Sequence, residues 1–483
     1  MITRRQALAA GVFAPWALAA SSVAGGGGLV RLLIDTPRES LLAALAARIR
    51  DGLAPAELLR ALAIAACREV SPYPNVGFKY HAVMMLQSVQ LSMAALPGEL
   101  AWLPLLWTAD YFKTASAQED RFRPWSLPAV PERSGGTPEL SALVDGLASW
   151  DRDEADRATA ALLDTGQIHA VLQTLMLHAA RDFRAIGHKT ITAANAHRLY
   201  SALGSPVAAP LTRSLVLAVQ NPEGDANPAQ HEHVADGDWK ANQVLAGDLP
   251  RNWRTGRNDA AAAQTLLAEL RTATSEQAVS AAMSLLTDDV SAHTVWEAVM
   301  MFAAELILRR NNIIAVHANT MANAMRYCYG VSDADSAQRL LLLQAVAFMA
   351  RFRALVDRDW RVRDRRIDAI ELLPAASVDE IFQTLGRSRF RAVRQALGWL
   401  DAGGDPATLA ARARWYATLK ITGTHDIKVT EAMQENYGWL RFPWRNALLA
   451  ASLMYANAST APDDDVVARA RALIGFGRTT GSS

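Results

Sequence analysis

Four histidines sit in apolar, helix-forming surroundings: His81 after Phe78-Lys79-Tyr80, His188 in Gly187-His188-Lys189, His317 in Val316-His317-Ala318, and His425 in Thr424-His425-Asp426. A neutral imidazole can offer one ring nitrogen to a cation while a partner holds the other. Histidines that helices bring together would therefore form a buried metal site, or a set of groups able to move protons. Thr192 and Asn195 share a helix face with His188. Thr320-Met321-Ala322-Asn323-Ala324-Met325-Arg326 then repeats the pattern Thr-x-Ala-Asn-Ala-x-Arg of Thr192 to Arg198. Thr192, Asn195, Thr320 and Asn323 are the right types to hold the rings from behind. Asp426 and Lys428 would tune the site, and Lys428, one turn after His425, would be a reactive amine if buried. His178 with Asp182, or Glu297 and Glu305, could add oxygen ligands.

Iron is the first expectation, since it suits mixed histidine and carboxylate ligation. Copper or zinc would suit a set made mostly of histidine. No metal-binding signature such as His-Glu-x-x-His is present. For any single histidine the plain alternative is a capping or hydrogen-bonded core group. Arg198 and Arg326 read as salt-bridge partners, His197 as structural, and His231 and His233 as solvated loop residues. Phosphate-binding glycine patterns and the Gly-x-Ser-x-Gly elbow are absent, so neither a nucleotide fold nor that hydrolase class is indicated.

Helical periodicity dominates the chain that must position these groups, and no series of alternating strands competes with it. The expected fold is mainly α, a multi-helix bundle or helical array, and the repeated motif raises the expectation of two similar halves. Thr36 reads as an N-cap, with Pro37 in the first turn. His188 and His317 each begin a helix, and Val378 to Leu400 reads as one helix. Residues 221–259 form the longest irregular stretch, to be read as a lid or specificity element or as a solvated insertion. Residues 30–470 are expected to form one large helical domain, followed by a flexible tail over 471–483.

The 483 residues carry 49 Lys plus Arg against 48 Asp plus Glu. This balance gives no reason to expect a nucleic-acid partner. Cys67 and Cys328 match no zinc spacing and read as two buried thiols. Thr3-Arg4-Arg5-Gln6-Ala7-Leu8, followed by a short apolar run ending near Ala24, reads as a twin-arginine signal over residues 1–24. The expected location is periplasmic or secreted, with the twin-arginine export machinery as a partner.

Around the same histidines the chain resembles the questin oxidase-like family. The similarity lies in Tyr80-His81-Ala82, Gly187-His188-Lys189, Val316-His317-Ala318 and His425-Asp426-Ile427-Lys428-Val429-Thr430-Glu431. The resemblance implies a helical protein and, as in the fungal members, oxidative ring opening of an anthraquinone by oxygen insertion with NADPH. Export departs from that pattern, because NADPH is not available outside the cytoplasm. A bound metal, or no redox cofactor, is favoured instead. The expectation is an exported oxidoreductase acting on a small organic, aromatic substrate at a histidine-lined pocket. The alternatives are a helical binding protein with structural histidines and a metal-dependent hydrolase.

Overall fold

The computed structural model describes residues 26–122, 125–130, 139–441 and 444–475. The expected signal over 1–24 lies outside them, as does the tail beyond residue 475. The described residues form a mainly α-helical array without a strand, and the one isolated bridge pairs Arg257 with Val290. None of these helices is long and apolar enough to cross a membrane.

Four inner helices organise the array. They are α1 (Leu86–Ala95), α2 (His188–Leu203), α3 (Ile313–Val331) and α4 (Thr424–Trp439). The short helix His81–Met84 leads through Met85, itself in αR conformation, into α1. α2 packs on α1 and α3, and α4 packs on α3 and α1, so the four close a ring. Outer helices fill the chain between successive members, which lets all four inner helices run the same way. The helices Ala292–Arg309 and Asp335–Val356 are buried almost all round, as expected of helices with apolar residues on every face. Gln344 is tolerated there because its amide bonds Ala180 O at 2.8 Å and accepts from Asn242 at 2.7 Å.

Several boundaries differ from expectation. Pro37, not Thr36, holds the N-cap position of Arg38–Arg50, and Thr36 N closes the preceding helix Gly26–Asp35 by bonding Leu32 O. Val378 to Leu400 is two helices, Val378–Leu385 and Arg389–Asp401, because Ser388 accepts from Arg391 N and starts a new one. The stretch 221–259 is not irregular throughout. It contains the helix Gly237–Asp248, whose Trp239, Asn242 and Ala246 are buried at helical spacing. Residues 471–474 belong to the helix Asp465–Ile474, anchored by Val467 and Ala470, so the expected flexible tail begins too early.

Candidate metal centre

The four histidines meet at one end of the ring, in the order in which the helices pack. Nε2 of His81 lies 3.4 Å from Nε2 of His188, which lies 2.8 Å from Nε2 of His317, which lies 3.3 Å from Nε2 of His425. One ligand atom from each falls within 4.8 Å of all the others. An ion about 2.0–2.1 Å from each nitrogen would place tetrahedral neighbours about 3.4 Å apart; the three successive spacings are close to this, and the widest pair, at up to 4.8 Å, would have to draw in on binding.

The ring orientations decide which nitrogen is offered. Nδ1 of His81 bonds Phe78 O at 2.6 Å, Nδ1 of His317 bonds Ile313 O at 2.7 Å, and Nδ1 of His188 bonds Ala185 O. A carbonyl only accepts, so each of these Nδ1 atoms carries the proton and each Nε2 presents a lone pair. Burial, helped by the positive charge of Lys428, holds the rings neutral: His188 is pushed down to about 3, and His81, His317 and His425 lie far below the ordinary histidine value. Two facing lone pairs at 2.8 Å repel, and a cation between them removes the conflict.

The chain strains itself to place His188. Ala185 (φ 47°) and Ile186 (φ 46°) are both left-handed, followed by Gly187 (φ 84°). Each of the first two costs about 1–2 kcal/mol, and the turn aims Ala185 O at the ring. Buried ion pairs hold the turn on both sides. Asp182 accepts from Arg184 N and Lys189 Nζ, both at 2.9 Å. The Arg184 guanidinium bonds Asp236 at 2.8 and 2.7 Å and Asp225 at 2.8 Å. Glu223 Oε1 accepts from Val76 N at 3.1 Å, beside the loop that presents His81. The 221–259 segment therefore braces the turns that carry two of the histidines.

Asp236→Ala removes two of the carboxylate hydrogen bonds of the Arg184 guanidinium and leaves Asp225 and Asp182 beside it. The metal-free protein should lose about 1.5–3 kcal/mol in urea unfolding, and a loss below about 0.5 kcal/mol would contradict the brace. Gly77 matters for a different reason: a Cβ there would sit 2.7 Å from Cε1 of His188. Gly77→Ala should cost about 10–100-fold in metal affinity by competition with a chelating dye. An unchanged affinity would show that the ring position is not critical.

Other expected site residues take different roles. Thr192, Asn195, Thr320 and Asn323 do not hold the rings; backbone carbonyls hold those of His81, His188 and His317. Thr192 bonds His188 O and Asn195 bonds Met84 O, while Thr320 bonds Val316 O and Asn323 bonds Asn436 and Glu435. Asp426 turns away to Thr422 and Asn457. The candidate oxygen ligands are engaged elsewhere: Asp182 as above, Glu305 by Arg271, and Glu297 by His293 and Arg441 N. His178 does not belong to the cluster. His317 lies one turn inside α3, since Asn312 is the N-cap. Arg198 pairs with Glu435, but Arg326 lies among the rings of Trp296, Tyr329 and Trp439. His197 bonds the Tyr327 hydroxyl, and Cys67 and Cys328 are free, buried thiols.

Lys428 is not the surface ammonium that is the commoner outcome for a lysine: it is fully buried, and burial pushes its amine down to about 7. It acts on all four rings and lines a cleft that the sequence reading missed. The cleft continues the histidine face along the same helices, past Ser88, Asn195, Thr320, Lys428 and Glu431. Its volume is about 10 Å³, room for about one water. A larger cavity of about 410 Å³, lined by residues such as Arg68, Leu163 and Pro210, shares no residue with the histidine cluster.

Compared with known proteins, the chain matches no family model, no curated protein and no solved structure. The site is therefore argued from its own geometry.

Proposed function

We propose that this protein is a metal-dependent oxidoreductase whose metal is held by His81, His188, His317 and His425. The observation that carries the metal is the convergence of four Nε2 atoms, those of His81, His188 and His317 left unprotonated by their Nδ1 bonds, with 2.8 Å between those of His188 and His317. Imidazole suits iron, copper and zinc alike. The carboxylates that would have favoured iron are absent from the cluster, so copper moves level with iron as the redox-active ion. Such an ion would pass electrons between an organic substrate and dioxygen.

The redox assignment is supported by the resemblance to the questin oxidase-like family, which also suggests an aromatic substrate. The twin-arginine-like N-terminus supports a metal acquired before export and argues against NADPH. The test combines elemental analysis of the purified protein with dioxygen uptake on an aromatic hydroquinone. Stoichiometric iron or copper, with uptake abolished in His188→Ala, is the expected result. Zinc alone, with no dioxygen uptake, would overturn the redox reading.

One observation favours a second reading. Four protein ligands close a tetrahedral site, which is the pattern of structural zinc. In that reading the ion clamps the inner helices and does no chemistry.

A further inference from the structure

The charge at this centre does not balance. Four neutral imidazoles would leave a divalent ion uncompensated, and among the described residues no carboxylate or thiolate joins the cluster. Lys428, the basic side chain that acts on all four rings, offers no compensation: protonated, it has the same sign as the ion, and deprotonated it is neutral. The acidic groups of α4 are committed elsewhere. Asp426 is held by Thr422 and Asn457. Glu431 is held by Arg414 at 2.7 and 2.8 Å and by Ser92 at 2.8 Å. Glu435 is held by Arg198 at 2.6 Å and Asn323 at 2.8 Å. Burying an unpaired charge costs several kcal/mol, so the centre calls for an anion.

A second observation points to where that anion sits. The Lys428 amine is fully buried, and its hydrogen-bond partner among the described residues is the Met84 thioether at 3.4 Å, a weak acceptor. It lines the cleft between α1, α2, α3 and α4, whose outer end is marked by half-buried Leu91 and Glu435. Lys428 follows His425 by three residues, Thr320 follows His317 by three, and Asn195 follows His188 by seven. The cleft thus lies on the helix faces that carry the ligands, beginning one turn past the histidines. At about 10 Å³ it admits one water-sized species at a time.

We propose that the metal centre binds a small monoanion no wider than a water molecule, held between the ion and the Lys428 amine and admitted through this cleft. The inference rests on the metal reading above, and it separates a reactive centre from a closed structural one. Lys428 is a positioning residue for the anion, not a metal ligand.

The test uses the full chain loaded with cobalt(II), its content fixed first by elemental analysis, and then titrated with azide while the visible absorption is followed. The cobalt bands of the wild type should change as azide binds. Lys428→Met, close in shape but unable to donate, should keep its cobalt and bind azide at least tenfold more weakly. Leu91→Trp, at the half-exposed mouth, should slow azide entry at least tenfold at unchanged affinity. A cobalt-loaded wild type whose spectrum ignores azide overturns the proposal, as does a Lys428→Met variant that binds azide equally well. Unslowed entry in Leu91→Trp overturns the route. Failure of the wild type to take up cobalt is seen before azide is added and overturns the metal reading itself.

Discussion

One equivalent of a first-row transition metal per chain should stabilise the wild type and leave a His188→Ala/His317→Ala variant unaffected. The reason is mass action. An ion that binds only the folded state adds about 4 kcal/mol at a thousandfold excess over its dissociation constant. In a chain of this length that moves the thermal midpoint by about 4 °C, because the unfolding entropy grows with residue number. The two metal-free proteins should melt much closer together. The variant loses ring packing but also loses the contact at 2.8 Å between two nitrogen lone pairs, and these effects oppose one another. Scanning calorimetry of both proteins, with and without added metal, reads the whole cycle. A wild type whose midpoint ignores iron, copper and zinc would leave the four histidines as core groups and remove the basis of the oxidoreductase reading.

The helical character of the chain was open to sequence reasoning because periodicity is a local signal. The four histidines could be singled out because each stands at or near the start of a helix, with polar residues where core residues would be expected on those of His188 and His425. Their convergence on one site was expected from their place near helix starts, and the cluster brings the same four together; its geometry could not be read, since it depends on how α1 to α4 close a ring. Nor could the partners of the rings be read, because Phe78 O, Ala185 O and Ile313 O are backbone atoms, which no side-chain motif announces. The repeated Thr-x-Ala-Asn-Ala-x-Arg motif led to the wrong role: Asn195 and Asn323 both line the cleft and neither supports an imidazole. The histidines do not share the register of that motif, since Thr192 follows His188 by four residues and Thr320 follows His317 by three. The cleft itself was legible in principle. Stepping three and seven residues on from each histidine would have listed much of its lining. The helix Gly237–Asp248 was missed because Gly237, Asp238 and Gly247 read as turn residues, although Trp239, Asn242 and Ala246 kept helical spacing.

Lys428→Met should stabilise the metal-free protein at pH 7 by on the order of 4 kcal/mol. Burial lowers the folded-state amine from 10.5 to about 7. Between those values the unfolded chain holds a proton that the folded chain has released, so the stability of the wild type rises with pH across this window. Each pH unit contributes about 1.4 kcal/mol, and the span of about three and a half pH units sets the size of the effect. Below about pH 7 both states are protonated and the wild type carries the full cost of a buried ammonium. Above about pH 10.5 both are neutral and the cost disappears. The advantage of the methionine variant should therefore be constant in mild acid, shrink from pH 7 upward and vanish near pH 10.5. Urea unfolding of both metal-free proteins at several pH values measures it. Parallel stability curves at every pH would mean that Lys428 reaches solvent and is not the buried amine described above. If the difference follows the expected course, the fold keeps a lysine that weakens it at neutral pH, one turn past His425 in a cleft on the helices that carry the four convergent histidines. An apolar side chain would serve the core better there, so the cost is best explained by a ligand that needs the amine.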